Sequence, residues 1–219
     1  GSKAILMEQT CPGIEGAKAR FELLLKAFRD ERYVKVDGKP YLFIFDPVNL
    51  PQEYVDCFKK MSVEAGFPGI YLVANVGDNS IKKEMMLNKG YAAVCSCDIL
   101  GHPEQLRNTV QHKPLTHYQG ISHRRPPYVY DYSKHYKEFI GEIDRDENVI
   151  PQIIPQWDHS PRGGRKTNIY INSTPECFAK HVRMAMEAIK GKKEEHQILM
   201  LKSWNEWAEG NYMEPDMTH

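Results

Sequence analysis

Two glutamates three positions apart, Glu206 and Glu209, alternate with two tryptophans in the segment Trp204-Asn205-Glu206-Trp207-Ala208-Glu209-Gly210. Cleaving or exchanging a glycosidic bond commonly needs two carboxyl groups: one trades a proton with the bridging oxygen, and the other acts as base or nucleophile. Indole rings beside such a pair serve it in one of two ways. They exclude water and raise the pKa of one acid, or they stack on the apolar face of a sugar ring. On a regular strand the two acids would face opposite ways. On a helical turn or bulge, residues three apart are neighbours, and Gly210 permits the backbone angles such a turn needs. The plain alternative makes the acids solvated loop residues and the tryptophans core anchors; Asn205, the two indoles and a glycine at a strand end favour the chemistry.

The elements that must position this segment are short apolar runs alternating with amphipathic stretches, the pattern of βα units around a parallel sheet. Strands are expected over residues 41–45, 70–74, 92–97, 149–156 and 198–203, with a sixth candidate at 4–8. Helices are expected over 16–28, 52–64, 81–88, 132–143 and 175–189. The last opens with Ser173-Thr174-Pro175-Glu176, a capping residue followed by proline at the first helical position. Each strand runs into a polar or aromatic residue: Asp46, Asn75, Asp98, Trp157-Asp158 and Trp204-Asn205-Glu206. Both βα barrels and open doubly wound sheets bind ligands at that edge. No glycine-rich phosphate loop follows any strand, and Gly163-Gly164 reads as a turn. The aperiodic stretch 102–125 is expected to be a long rim loop.

With 219 residues, 41% of them hydrophobic, the chain has material for one substantial core and is expected to be a single domain, 1–219. Lysine plus arginine and aspartate plus glutamate both number 29, so no net field draws a nucleic acid or an anionic membrane. The apolar runs fall far short of the ~20 residues of a membrane span. Gly1-Ser2 reads as a cloning remnant, with no secretory signal after it. The five cysteines (Cys11, Cys57, Cys95, Cys97, Cys177) are odd in number and scattered, which suits free thiols and a reducing, cytoplasmic compartment. Neither Cys95-Ser96-Cys97 nor His112, His117 and His123 has metal-ligand spacing, so no metal or cofactor is expected. Asp144-Arg145-Asp146 is the one Asp-x-Asp triplet, the pattern nucleotide-sugar transferases often use for a metal, and its charged surroundings read as a solvated loop.

The segment Trp204 to Gly210, continued by Asn211-Tyr212-Met213-Glu214-Pro215-Asp216, resembles a signature of the WbsX-type polysaccharide-biosynthesis proteins, described as glycosyltransferases, and of the related glycoside hydrolase family 99. Trp157-Asp158-His159-Ser160-Pro161-Arg162 with Ser173-Thr174-Pro175-Glu176-Cys177-Phe178 resembles a second WbsX-type signature, and Tyr33-Val34-Lys35-Val36-Asp37-Gly38-Lys39-Pro40 a third. The resemblance implies a (β/α)8 barrel of the TIM type, with Glu206 as base on the sugar 2-hydroxyl and Glu209 as acid/base at the bridging oxygen, through an anhydro sugar and with retention. It further implies an oligosaccharide or polysaccharide substrate contacted by Trp157, Asp158, Arg162, Trp204, Asn205, Trp207, Tyr212 and Glu214. Arg162 capping a helix C-terminus or pairing with a structural acid is an equal alternative.

A barrel of this type holds eight strands in about 250 residues. Five or six are countable here, so a partial barrel comprising the later βα units is expected, the C-terminal part of a catalytic domain. Its open strand edges make a homodimer an expected outlet. Three functions follow: a transferase of bacterial surface-polysaccharide assembly (O-antigen or capsule), a retaining endo-glycosidase or transglycosylase of the endo-mannosidase kind, and a noncatalytic glycan-binding module.

Overall fold

The computed structural model describes residues 11–76, 80–96, 128–163 and 168–217, and over them the chain is mixed α/β. The candidate strand at 4–8, Cys97, Asp98, the loop 102–125 and its three histidines lie outside the described residues. The chain divides into two compact units, Gly1–Asn75 with Ile81–Val94 and Val76–Ser80 with Cys95–His219. Among the described residues no helix is long and apolar enough to cross a membrane.

In the first unit, α1 (Gly13–Phe28) and α2 (Gln52–Glu64) pack on each other. Ala17, Phe21 and Phe28 recur at helical spacing on α1, as do Tyr54, Val55, Phe58 and Ser62 on α2, and all are buried. The Phe21 and Phe58 rings meet at 5.8 Å across the two helices. β1 (Lys35–Val36) and β2 (Lys39–Ile44) form a tight antiparallel hairpin, Val36 opposite Lys39. Asp37 and Gly38, both at positive φ (51° and 71°), make its two-residue turn, as Asp-Gly does in hairpins.

β2 then pairs in parallel with β3 (Tyr71–Val76), Tyr41 opposite Tyr71 and Ile44 opposite Ala74. Beside β3 lies β4 (Ala93–Ser96), reached through α3 (Ser80–Lys89). Strand-end polar groups here hold the chain's own backbone. Asn75 donates to the Phe45 carbonyl at 3.0 Å, Asp46 accepts from the Asn49 backbone amide at 3.3 Å, and Lys89 Nζ donates to the carbonyls of Pro47 and Leu50.

The second unit is built on an aromatic cluster of Tyr130, Tyr132, Tyr136, Phe139, Ile154, Trp157 and Tyr170. β5 (Tyr128–Asp131) pairs in parallel with β8 (Asn168–Ile171), and β7 (Gln152–Ile153) with β9 (Met200–Leu201). The expected strand 149–156 is cut to β6 (Val149–Ile150) and β7, because Pro151 and Pro155 lack the N–H a ladder needs. The expected helix 132–143 is one turn, Tyr132–His135, followed by separate 3-10 turns. Asp144 corrects the expectation of a solvated Asp-x-Asp loop: its side chain is buried and accepts from the Gly141 amide at 2.8 Å, closing one of those turns.

α4 (Pro175–Ile189) begins as expected, with Thr174 accepting from the Cys177 amide at 3.3 Å. His181, Ala185, Ala188 and Ile189 form its buried stripe. His181 is fully buried against Tyr132, Phe139 and Phe178. The Tyr132 hydroxyl spends its one proton on the Ile154 carbonyl at 2.7 Å, so the 2.9 Å contact with His181 must be Nδ1–H donating to the tyrosine oxygen.

Burial holds the His181 pKa down at about 4, against about 6.5 in an unfolded chain. The unfolded chain therefore binds the extra proton first. Stability is intact above pH 6.5 and falls as the pH drops from 6.5 towards 4, by on the order of 3 kcal/mol from this group. Thermal melts across that window are expected to show Tm falling with pH, and less steeply in His181→Gln.

Candidate active site

The glutamate pair stands on a small hairpin. After β9 the chain leaves the parallel ladder and forms β10 (Asn205–Glu206), antiparallel to β11 (Asn211–Tyr212), with Asn205 opposite Tyr212 and Glu206 opposite Asn211. Between them a 3-10 turn covers Trp207–Glu209 and ends at Gly210, whose φ is +51°. The turn expected from the spacing of the acids and from the glycine is thus present. A Cβ on Gly210 would come within 3.0 Å of Asp158 Cβ and 3.1 Å of its backbone nitrogen.

Side chains lock the hairpin at its base. Ser203 Oγ donates to the Asn211 carbonyl at 2.7 Å and accepts from the Glu206 amide at 3.2 Å. Buried Asn211 donates through Nδ2 to the Gln156 carbonyl at 2.6 Å, and the Asp158 amide donates to the Glu209 carbonyl at 2.9 Å. Gly210→Ala imposes both the close contact and a left-handed backbone on an L side chain, so a stability loss of about 1 to 3 kcal/mol is expected in denaturant titration. Gly210→Ser should lose as much.

Glu209 turns inward from the hairpin tip, its side chain 15% exposed. Its Oε1 lies 2.6 Å from Arg162 Nη1 and 3.5 Å from His159 Nε2. Both partners come from the turn Ser160–Gly163 and the residue before it, which Asp158 starts by accepting from the Ser160 amide at 2.9 Å. Arg162, for which substrate contact and pairing with an acid were equal expectations, is on the acid. Its guanidinium remains 60% exposed, with donors left over.

The aromatic residues divide. Trp157 is 7% exposed and belongs to the core cluster, with Lys202 Nζ over its ring at 5.4 Å and the His159 ring stacked on it at 5.4 Å and 24°. Trp204 and Trp207 are open to solvent, at 60% and 48%, and are not core anchors. Trp207 stacks on Tyr212 at 3.7 Å and 15°, and its Nε1 donates to Glu214; Tyr212 donates to Asp216 at 2.7 Å. Asn205 is exposed and Glu206 half-buried.

Sequence reasoning missed His159, Ser203 and Asn211, each an ordinary polar residue whose role arises from a contact with a distant segment. A groove of about 680 Å³ between α4 and the C-terminal strand segment is lined by Phe178, Val182, Arg183, Tyr212, Met213 and Glu214 among others. Neither Glu206 nor Glu209 lines it. Among the described residues no cluster of histidine, cysteine and acids has the makings of a metal site, and Cys11, Cys57, Cys95 and Cys177 are free thiols.

These features define a mixed α/β protein carrying a hairpin-borne acid pair beside exposed indoles. The chain belongs to the family described as Glycosyltransferase WbsX, which it matches over residues 1–219. It is also similar to the uncharacterized protein WxcX of Xanthomonas campestris pv. campestris. In strain B100 the identity is 29% over 89 residues, 40% of this chain and 13% of that protein. In a second strain it is 33% over 73 residues, 33% of this chain and 10% of that protein. The matched stretches thus span about an eighth or less of the curated relatives' length.

Proposed function

We propose that the chain is part of a (β/α)8 enzyme that makes or breaks glycosidic bonds in bacterial surface polysaccharide, with Glu206 and Glu209 as its reacting acids. One observation carries the reading. Glu209 is held at Oε1 by Arg162 on a hairpin that also bears Glu206 and presents the Trp204 and Trp207 rings to solvent. Exposed indoles suit the apolar face of a sugar, and a carboxylate with one oxygen fixed has the other, Oε2, free to exchange a proton.

In the proposed cycle the Glu206 carboxylate takes the proton of the sugar 2-hydroxyl, and that oxygen bonds to C1 as the C1–bridging-oxygen bond breaks. Glu209, protonated on Oε2, gives its proton to the departing oxygen. In the second half Glu209 takes a proton from the incoming hydroxyl, which bonds to C1, and Glu206 returns its proton as the anhydro ring opens. Two displacements at C1 retain the configuration. An incoming sugar hydroxyl makes the enzyme a transferase between glycans, and water makes it a hydrolase.

The family's description favours transfer. A specific observation favours glycan over nucleotide-sugar donors: the chain's one Asp-x-Asp triplet spends Asp144 on closing a turn. The test is to incubate the full-length protein with mannose-, galactose- and rhamnose-containing oligosaccharides, with and without nucleotide sugars, and to follow products by mass spectrometry. Sugar release or exchange without nucleotide supports the glycan-donor cycle. Consumption of a nucleotide sugar alone sinks that cycle and leaves a nucleotide-dependent transferase, and binding without turnover leaves a noncatalytic module.

A further inference from the structure

We infer that His159 is a positioning residue for Glu209: with Arg162 it pins the Oε1 oxygen of that carboxylate so that Oε2 alone faces the substrate. The inference rests on the proposed role of Glu209. Three observations carry it together. His159 Nε2 lies 3.5 Å from Glu209 Oε1, the same oxygen that Arg162 Nη1 binds at 2.6 Å. The imidazole is itself fixed, stacked at 24° on the Trp157 ring, which is buried in the unit's aromatic core. The backbones of the two partner segments are also joined, through the Asp158 amide on the Glu209 carbonyl at 2.9 Å and the close approach of Gly210 to Asp158.

The Arg162 side chain is 60% exposed, whereas the ring of His159 is stacked on a core tryptophan and is 33% exposed. Arg162 supplies the charge on Oε1, and the stacked ring adds a contact from a fixed direction. An acid that must carry a proton to a bridging oxygen needs its orientation fixed to within a fraction of an ångström, and a misplacement of 1 Å costs as much as about a hundredfold in rate. The core beneath Trp157 is thereby linked to the geometry of the reacting oxygen through one imidazole.

The test uses the full-length protein with whichever glycan it turns over, comparing wild type, His159→Ala and His159→Gln. Loss of the ring is expected to lower kcat about tenfold with KM within about twofold, while Gln, which keeps a donor near the same place, recovers part of the loss. Crystal structures of wild type and His159→Ala are expected to show the Glu209 carboxylate rotated away from its Arg162-bound position in the variant. The inference is overturned if the alanine variant keeps wild-type kcat, if KM alone rises, which would put His159 on the substrate, or if Glu209 stays in place without the ring. If His159→Ala does not fold, the glutamine variant carries the same readouts. The crystallographic arm needs no turnover, so failure of the inference is distinguishable from failure of the functional reading, which shows as undiminished turnover in Glu209→Gln.

Discussion

Glu209→Gln is expected to lower turnover on a cleavable glycan by about 10² to 10⁴, the range a positioned general acid/base supplies, with binding of the same glycan preserved. Glutamine keeps the size of the side chain and an oxygen for the Arg162 hydrogen bond but cannot carry the transferred proton. The variant therefore separates chemistry from structure. Arg162, partnered at 2.6 Å by that carboxylate, meets an amide oxygen instead, and loss of this partly buried ion pair costs on the order of 1 to 2 kcal/mol, between the exposed and the buried cases. A change in Tm too small to explain a hundredfold kinetic loss is the expected companion result. The measurements are kcat and KM by product chromatography and Kd by calorimetry on the inactive variant.

The largest stability effect is expected at Tyr132→Phe, a substitution that removes one oxygen. That oxygen donates to the Ile154 carbonyl and accepts from His181 Nδ1, and His181 Nε2 already lacks a hydrogen-bond partner among the described residues. Its loss leaves a buried carbonyl and a buried imidazole N–H unmet. At about 1 to 3 kcal/mol for each buried group stranded, a total of about 2 to 6 kcal/mol is expected in urea titration. The aromatic packing of the ring on Phe139 at 5.8 Å and on Tyr170 at 6.2 Å stays, so a drop much larger than this would mean that the cluster itself had rearranged.

Local signals read well where local physics decides the outcome. Gln52–Glu64 and Pro175–Ile189 are helices over the residues expected, because amphipathic spacing and the Thr174-Pro175 start act within a few residues. The runs at 41–45, 70–74 and 92–97 correspond to β2, β3 and β4; β3 is buried almost throughout, whereas β2 is mostly half-buried and Phe45 is exposed. Reading failed where one residue overrode a pattern. Pro151 and Pro155 interrupt an apolar run that looked like one strand. The run 198–203 keeps only Met200–Leu201 in the ladder, since the chain turns at Ser203 to serve the hairpin. β5 and β8 escaped notice because four-residue strands of mixed polar and aromatic character lack a period to detect.

The site was half legible for the same reason. The turn bearing Glu206 and Glu209 follows from their spacing and from Gly210, all within seven residues. What that turn meets does not. Arg162 lies 47 residues from Glu209 in sequence, and the division of the tryptophans into buried Trp157 and exposed Trp204 and Trp207 depends on which segments fold over them. The residue type is identical in all three, and only the tertiary neighbours differ.

The central claim is that Glu206 and Glu209 act as one proton-transferring unit on a sugar acetal. The most direct measurement is turnover of a glycan by the full-length wild type, Glu206→Gln, Glu209→Gln and the double variant. Residues acting as a unit lose nearly everything with the first substitution. Each single variant is therefore expected to be nearly as inactive as the double, with all three still binding the glycan. Wild-type turnover in either single variant would contradict the account.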